Sequence, residues 1–186
     1  YLNGGNYNII GKMALAGRNK KETWDQWYTG RFDLHPMKGL SVKGDYSWNR
    51  YSTVQKFHRK EMTQTFPEGR DPYLVETPNY VRNYNSNNIY QAINVWAEYK
   101  KSFNDVHNLS LMAGYNQEEK TYASTSYTMT DLYDNEMPIS DLAINYKENE
   151  EGSDIWRVQG AFFRLNYDYR SKYLLEVNGR YDGSSK

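Results

Sequence analysis

The sequence predicts an all-β fold: an antiparallel up-and-down meander that forms part of a large transmembrane β-barrel. Three observations lead there. Apolar residues recur with a period of two in segment after segment, the connections between those segments alternate between short and long, and no run of about 20 apolar residues exists for a membrane helix. The mean hydropathy of -0.97 agrees with the last point. It leaves a barrel open, because half of every barrel strand is polar.

The clearest alternation lies near the C-terminal end. Ala161, Phe163, Leu165, Tyr167 and Tyr169 are apolar or aromatic, while Arg164, Asn166 and Asp168 stand between them. After a turn at 169–172 the pattern returns, with Tyr173, Leu175, Val177, Gly179 and Tyr181 on one face and Lys172, Glu176, Asn178, Arg180 and Asp182 on the other. Both strands are two-faced. This periodicity alone suits a soluble sandwich, whose greasy face is the core, and equally a barrel, whose greasy face meets lipid.

Taken in order, the chain opens with YLNGGN, read as a strand end and a turn on Gly4 and Gly5. A first strand follows, with Tyr7, Ile9, Met13 and Leu15 opposite Asn8 and Lys12. The next, at about 24–34, sets Trp24, Tyr28, Phe32 and Leu34 against Asp25, Arg31 and Asp33. HPMKG reads as a turn, since Pro36 cannot serve a ladder and Gly39 ends it. A third strand alternates Leu40, Val42, Gly44, Tyr46 and Trp48 with Ser41, Lys43, Asp45, Ser47 and Asn49. From about 53 to 88 the pattern breaks at Pro67, Pro72, Pro78 and the run NYNSNN, which predicts a long loop. The fourth strand carries Ile89, Ile93, Val95, Ala97, Tyr99 and Phe103 opposite Asn94, Glu98, Lys100 and Ser102. NDVHN turns the chain into a fifth strand, where Leu109, Leu111, Ala113 and Tyr115 oppose Asn108, Ser110, Asn116 and Glu118. A second long loop, about 123–154, precedes the final hairpin. Asp182-Gly183 is itself a hairpin signal, which would end the last strand near Tyr181.

About seven strands result, with HPMKG, NDVHN and YRSK at one end and the long connections at the other. Barrels of the bacterial outer membrane have that one-sided pattern of turns and loops; a sandwich usually has short loops at both ends. Trp24, Trp48 and Trp156 fall toward the long loops and Phe103, Tyr169 and Tyr173 toward the short turns, where interfacial aromatics belong. Strand number is even in such barrels, and the chain begins and ends in strand-like text. Residues 1–186 are therefore expected to be a partial barrel domain of a longer protein.

Lys+Arg and Asp+Glu are both 23, so no basic field attracts nucleic acid. Zero Cys removes thiolate metal sites, disulfides and Cys nucleophiles. His35, His58 and His107 show no catalytic spacing, and no cofactor motif occurs, so an enzyme is not expected. Asp131, Asp134, Glu136 and Asp141 share one loop but lack the glycine and terminal Glu of a calcium loop, and read as a solvated acidic segment. Phe66, Tyr73, Tyr122, Tyr127 and Tyr133 are loop aromatics of the type that stacks on sugars or simply packs the loop.

In a barrel the polar faces line the passage. The lumen-facing candidates are Lys43, Asp45, Glu98, Lys100, Arg164, Asp168, Glu176 and Arg180, a mixture of signs that suits neutral cargo or salt bridges better than a selectivity ring. The lipid-facing candidates are Val95, Leu111, Phe163, Leu165, Leu175 and Val177. The rival reading is a soluble β-sandwich that binds glycans through exposed Tyr and Trp.

The block AFFRLNYDYRSKYLLEVNGRYDGSSK resembles the barrel segment of the SusC/RagA family of TonB-linked outer-membrane proteins. FDLHPMKGLSVKGDYSW and NVWAEYKKSFNDVHNLSLMAGYNQEE resemble two further stretches of that family, in the same order. The resemblance implies a plugged barrel of about 22 strands, located in the outer membrane and surrounded by its lipid, that imports oligosaccharides or peptides. It also implies a TonB complex, engaged through parts outside this segment, and a SusD-type lipoprotein lid. No plug is recognisable within residues 1–186.

Overall fold

A computed structural model describes residues 10, 13, 15–64 and 71–186. Eight strands follow one another: β1 (Asn19–Met37), β2 (Leu40–Arg59), β3 (Met62–Gln64), β4 (Tyr73–Glu76), β5 (Tyr80–Phe103), β6 (His107–Leu132), β7 (Ala143–Tyr169) and β8 (Tyr173–Ser184). A 3₁₀ turn, Ser140–Leu142, precedes β7. Six strands form one sheet in the order β1-β2-β5-β6-β7-β8, and β3 pairs with β4 as a separate antiparallel ribbon. Sequence neighbours are thus sheet neighbours, the meander expected from the alternation.

The chain divides into two compact units. The unit made of residues 25–51, 88–122 and 153–186 contains the three short turns. At the first, Gly39 has φ +86 and its carbonyl accepts the Lys100 amide at 2.7 Å. A Cβ there would strike the Lys100 carbonyl oxygen, so glycine is required twice over. The second turn sets Asn104 and Asp105 at φ 50 and 55, and the third sets Arg170 and Ser171 at φ 51 and 54. Paired left-handed residues give the primed turn whose twist matches that of the strands it joins. Asp168 steadies the third turn by accepting the Ser171 amide at 2.7 Å.

The β7–β8 register runs without a break from Tyr169↔Tyr173 through Leu165↔Val177 and Phe163↔Gly179 to Val158↔Ser184. Asp182-Gly183 therefore does not turn: Gly183 pairs with Gln159, and Lys186 reaches Asp154 at 2.8 Å. A glycine pair signal yields to a partner strand long enough to go on pairing. Two glycines lie beneath aromatic rings of the next strand, Gly44 under Phe32 and Gly179 under Phe163. The rings cover backbone that would otherwise be bare.

The other unit comprises residues 1–24, 52–87 and 123–152. It holds a small interior of Met62, Val81 and Leu132, with Val81 at 0 % exposure. Two asparagines tie its connections together by acting as extra backbone. Asn79 gives Nδ2 to the Leu132 carbonyl at 3.1 Å and accepts the Leu132 amide at 2.6 Å. Asn135 accepts the Glu61 amide at 2.7 Å and donates to the Glu61 carbonyl at 2.9 Å.

Four expectations are corrected. Met13 and Leu15, placed in a first strand, have helical backbone, as does Ile10, while Tyr7, Asn8, Ile9 and Lys12 lie outside the described residues. The spacing Ile10 to Met13 suits a helix turn, and so short an apolar run satisfies both periods. β1 continues through Pro36, leaving Lys38 and Gly39 as the turn; β1 is an edge strand of the described sheet, where proline is tolerated because alternate N–H positions have no strand to serve. Much of the two segments expected as loops is strand: β2 runs on to Arg59, β5 starts at Tyr80, β6 reaches Leu132 and β7 begins at Ala143. The sheet has six long strands where about seven were expected.

Because the turns rest on left-handed residues, they respond to substitution in opposite directions. In urea unfolding of the intact protein, Gly39→Ala lowers stability by about 2 kcal/mol or more, from positive φ and the Lys100 collision. Ser171→Gly raises it by up to about 1 kcal/mol, relieving the cost of φ 54 while keeping the amide bond to Asp168. Equal and opposite-to-expected shifts would show that neither turn is formed as described.

Candidate functional site

The functional surface is a sheet face, built by the two-residue alternation of the strands. In the unit containing the short turns, the polar residues of adjacent strands meet on one side. Lys43 pairs with Asp33 at 3.0 Å and Thr29 bonds Ser47 at 3.0 Å, joining β1 to β2. Asn94 donates to Asp45 at 2.9 Å and accepts from Asn116 at 2.8 Å, so one relay crosses β2, β5 and β6. Glu98 accepts from Ser110 at 3.4 Å and pairs with Lys100 at 2.8 Å. Asp168 accepts from Asn108 at 3.4 Å across β6 and β7. Arg164 donates to Asn178 at 2.9 Å, which in turn donates to Glu176 at 2.6 Å, and Arg180 pairs with Asp182 at 2.8 Å.

All eight residues expected on the polar side thus have polar partners there: four cations and four anions, each engaged. The face is polar, charge-compensated and continuous across the strands. Solvent-exposed pairs of this kind add little stability each. Their main effect is to leave no single-sign field.

The opposite face carries a band of apolar side chains. Leu111, Phe163, Leu175 and Val177 are 41 to 54 % exposed, and Val95 and Leu165 are partly exposed. Phe163↔Gly179, Leu165↔Val177 and Tyr167↔Leu175 stand in register. In β8 the band spans the nine residues from Tyr173 to Tyr181, roughly 30 Å along the strand and about 23 Å in height at a 40° tilt, against about 25 Å for a membrane-crossing band.

Both ends of the band are marked. On the side away from the turns, Tyr46 donates to Gln91 at 2.8 Å and Tyr115 to Gln159 at 3.1 Å, so a row of Tyr hydroxyls meets a row of glutamines at the same level on successive strands. Past that row come charges, with Arg157 on Glu119 at 2.5 Å. At the turn end, His107 stacks on Tyr169 at 4.9 Å and contacts the Tyr167 hydroxyl at 2.6 Å, and Arg170 and Lys101 lie over the rings of Tyr169 and Phe103. Ala92 is the one buried apolar residue of this unit among the described residues. A soluble sandwich needs a second layer over its greasy face, and among the described residues no strand packs over this one.

Sequence reasoning missed aromatics that stand with polar groups. Trp27 lies 6.1 Å from Tyr90, whose hydroxyl donates to Glu118 at 3.0 Å, and Phe162 covers Gly114 beside Trp96. In the other unit Phe57 stacks on Tyr80 at 5.4 Å, with the Arg59 guanidinium 4.5 Å from the Tyr80 ring centre. For Trp27, Tyr90, Trp96 and Phe162 the signal was parity: they occupy the polar positions of strands whose alternation is otherwise regular, whereas Phe57 and Tyr80 lie in text read as loop. Of the loop aromatics expected to matter, Tyr133 is 87 % exposed, Tyr73 and Tyr127 are exposed, Tyr122 is partly exposed, and Phe66 lies outside the described residues.

The acidic candidates do not converge. Asp131 is bound by Asn145 and Thr130, both at 2.9 Å, which hold its carboxyl below the usual range. Asp134 accepts the Glu136 amide at 2.7 Å, and Glu136 pairs with Lys60. Among the described residues no group of three or more potential metal ligands gathers.

No protein-family model matches the chain. In sequence it is similar to TonB-dependent receptor P39 of Formosa agariphila, 29 % identical over 90 residues, which is 47 % of this chain and 9 % of that protein. In structure it is similar to the RagAB peptide transporter, with a TM-score of 0.77 at 17 % identity over 94 % of this chain and 19 % of that one. The RagAB peptide importer in its closed-closed state gives 0.78 at 18 % identity with the same coverage. The chain spans about a tenth of the curated relative and about a fifth of the RagAB chains.

His58 gives this part of the molecule a pH dependence. It is buried in the unit of 52–87 and 123–152, its Nε2 has no partner among the described residues, and its amide donates to Arg18 at 2.8 Å. Burial, reinforced by the Lys60 charge and opposed by Glu136, pushes its pKa below the ordinary 6.5. Its neutral state stabilises the fold fully above pH 6.5, and that contribution is lost as pH falls from 6.5 toward the lower folded value. Amide exchange around Asn79 and Asn135, corrected for intrinsic rates, should therefore quicken between pH 7.5 and 5.5, and His58→Phe should flatten the response. Protection that is constant over that range in the unaltered protein would contradict a buried neutral imidazole.

Beside the SusC/RagA resemblance of the three sequence blocks stand a likeness in sequence to a TonB-dependent receptor over 90 residues and a likeness in fold to RagAB: the chain has the antiparallel β-meander fold of a stretch of the RagAB transporter.

Proposed function

We propose that the intact protein is an outer-membrane importer of oligomeric nutrients, driven through TonB, and that residues 1–186 supply wall and outer strands. The observation that carries this reading is the uncovered apolar band, about one membrane thick, backed by a charge-compensated polar face. Val95, Leu111, Phe163, Leu165, Leu175 and Val177 meet lipid. Lys43, Asp45, Glu98, Lys100, Arg164, Asp168, Glu176 and Arg180 line the passage or hold what fills it.

The remaining strands and a plug belong to other parts of the protein, for a wide barrel needs something to close it at rest. The mechanism is binding, plug movement and passage without covalent chemistry. A SusD-type lipoprotein is the proposed lid, by resemblance. Peptides are the cargo named for RagAB; for this chain the charge-compensated face supports uncharged oligomers, oligosaccharides among them. Nucleic acid is not a proposed partner, because the net charge is +0.

Strand length supports an outer extension as well. A membrane strand needs about 9–11 residues, whereas β5, β6 and β7 have 24, 26 and 27. More than half of each therefore stands clear of the hydrocarbon.

Two tests follow from this reading. Leu111→Arg places a charge in the apolar band and should cost roughly 2–4 kcal/mol of folding stability in lipid, whereas the neighbouring Ser110→Arg, beside Glu98, should cost little. Equal losses would remove the assignment of faces. Uptake of labelled oligomers by cells carrying the full-length gene should fall to background when TonB is deleted. Undiminished uptake would reduce the protein to a passive pore.

A further inference from the structure

In the unit of 52–87 and 123–152, Gln55 and Phe57 of β2 and Tyr80, Arg82 and Tyr84 of β5 line a cleft of about 390 Å³. That falls within the ~300–1,000 Å³ of small-molecule sites, with room for one or two sugar rings. We propose that this cleft is a sugar-binding subsite that stacks a ring of an uncharged oligosaccharide on its aromatic wall. The proposal rests on the transporter reading above and gives it a cargo class.

Phe57 and Tyr80 stack with ring centres 5.4 Å apart and planes 26° from parallel, and Arg59 lies over the Tyr80 ring, so the ring face that Phe57 turns away from the stack is the apolar surface left to meet the C–H face of a pyranose. The Phe57–Tyr80 stack is held from outside the cleft: Arg59 lies 4.5 Å from the Tyr80 centre and is itself fixed by the Pro78 carbonyl at 2.8 Å. Such a platform has little freedom left to lose on binding.

The polar rim selects against charge. Arg82 donates Nε to Ser126 at 3.1 Å and lies 3.3 Å from the Glu150 carboxylate, so its cation is already met. Gln55 commits Nε2 to Asn19 at 2.7 Å, turning its amide so that the carbonyl is the part available to accept. Guanidinium donors beside an amide acceptor suit vicinal hydroxyls. A peptide is served less well. Its backbone would seek an unpaired strand edge, and β2 and β5 are already neighbours in the sheet. Its charged termini would seek an uncompensated partner, and the lining cation has a carboxylate already.

The test uses the intact protein purified in detergent and titrated calorimetrically with three neutral hexasaccharides, maltohexaose, cellohexaose and mannohexaose, alongside a capped uncharged hexapeptide. At least one hexasaccharide should bind, and Phe57→Leu, which keeps apolar volume but loses the flat ring, should weaken it about tenfold. Phe57→Tyr should retain binding, and Tyr133→Ala, far more exposed and outside the cleft, should leave it unchanged. Binding of none of the three sugars, binding of the peptide alone, or equal sugar affinity in Phe57→Leu and the unaltered protein would overturn the subsite. Uptake separates the two readings: sugar binding lost in Phe57→Leu with TonB-independent uptake keeps the subsite and removes the energised importer, while unchanged sugar binding with TonB-dependent uptake does the reverse.

Discussion

A strand's backbone groups can be satisfied only by its lateral neighbours, and in hydrocarbon no water is there to replace them. The rest of this structure depends on that constraint. The meander order β1-β2-β5-β6-β7-β8 gives each inner strand a partner on both sides, so both faces of the sheet are released for side-chain chemistry. One face becomes apolar, bounded by Tyr46 and Tyr115 at one end and by Tyr169 and Tyr173 at the other. The other is closed into a hydrogen-bonded surface by Asp45, Asn94 and Asn116. Short primed turns fit the same demand: they reverse the chain in two or three residues and leave few backbone groups unpaired near the membrane surface.

The unit of 52–87 and 123–152 follows a different rule. There the interior is small and mostly polar, with Thr53, His58, Asn79, Ser126, Thr128 and Thr130 buried beside Val81 and Leu132. Asparagine clamps hold what apolar packing does not. Such a surface is well suited to presenting polar and aromatic groups to water and to ligands, since its stability does not depend on a greasy face.

How much of this was legible in the sequence follows the same division. Residues 161–181 could be read to the residue, because a strand with one apolar and one polar face shows strict alternation and the sequence has it at Phe163, Leu165, Leu175 and Val177. The strand extensions could not: Asn83 to Asn88, Tyr84 apart, and Glu148 to Asp154 are polar on both faces, and without an apolar side the period of two disappears although the ladder continues. Phe57, Tyr80 and Tyr84 were hidden for that reason, falling inside text read as loop. All eight charged residues assigned to the polar side were found with polar partners, but which groups would meet was not readable, since Asp45 with Asn94 or Arg164 with Asn178 depends on inter-strand register. The opening segment was misread because Ile10, Met13 and Leu15 fit a helix turn as well as a strand.

The central claim is that one sheet face lies against lipid and the other against water, and since residues 1–186 contain no cysteine, single cysteines placed there report on it once any cysteine elsewhere in the intact protein is replaced. Single cysteines would be placed in turn at positions 108 to 115 of β6 in the intact protein, in native membranes, and labelled in parallel with a membrane-impermeant maleimide and a lipid-soluble one. The account predicts a sawtooth: even positions react with the water-soluble reagent and odd positions with the lipid-soluble one, up to Tyr115. Uniform labelling along the strand, or the same reagent preference at Ser110 and Leu111, would contradict it.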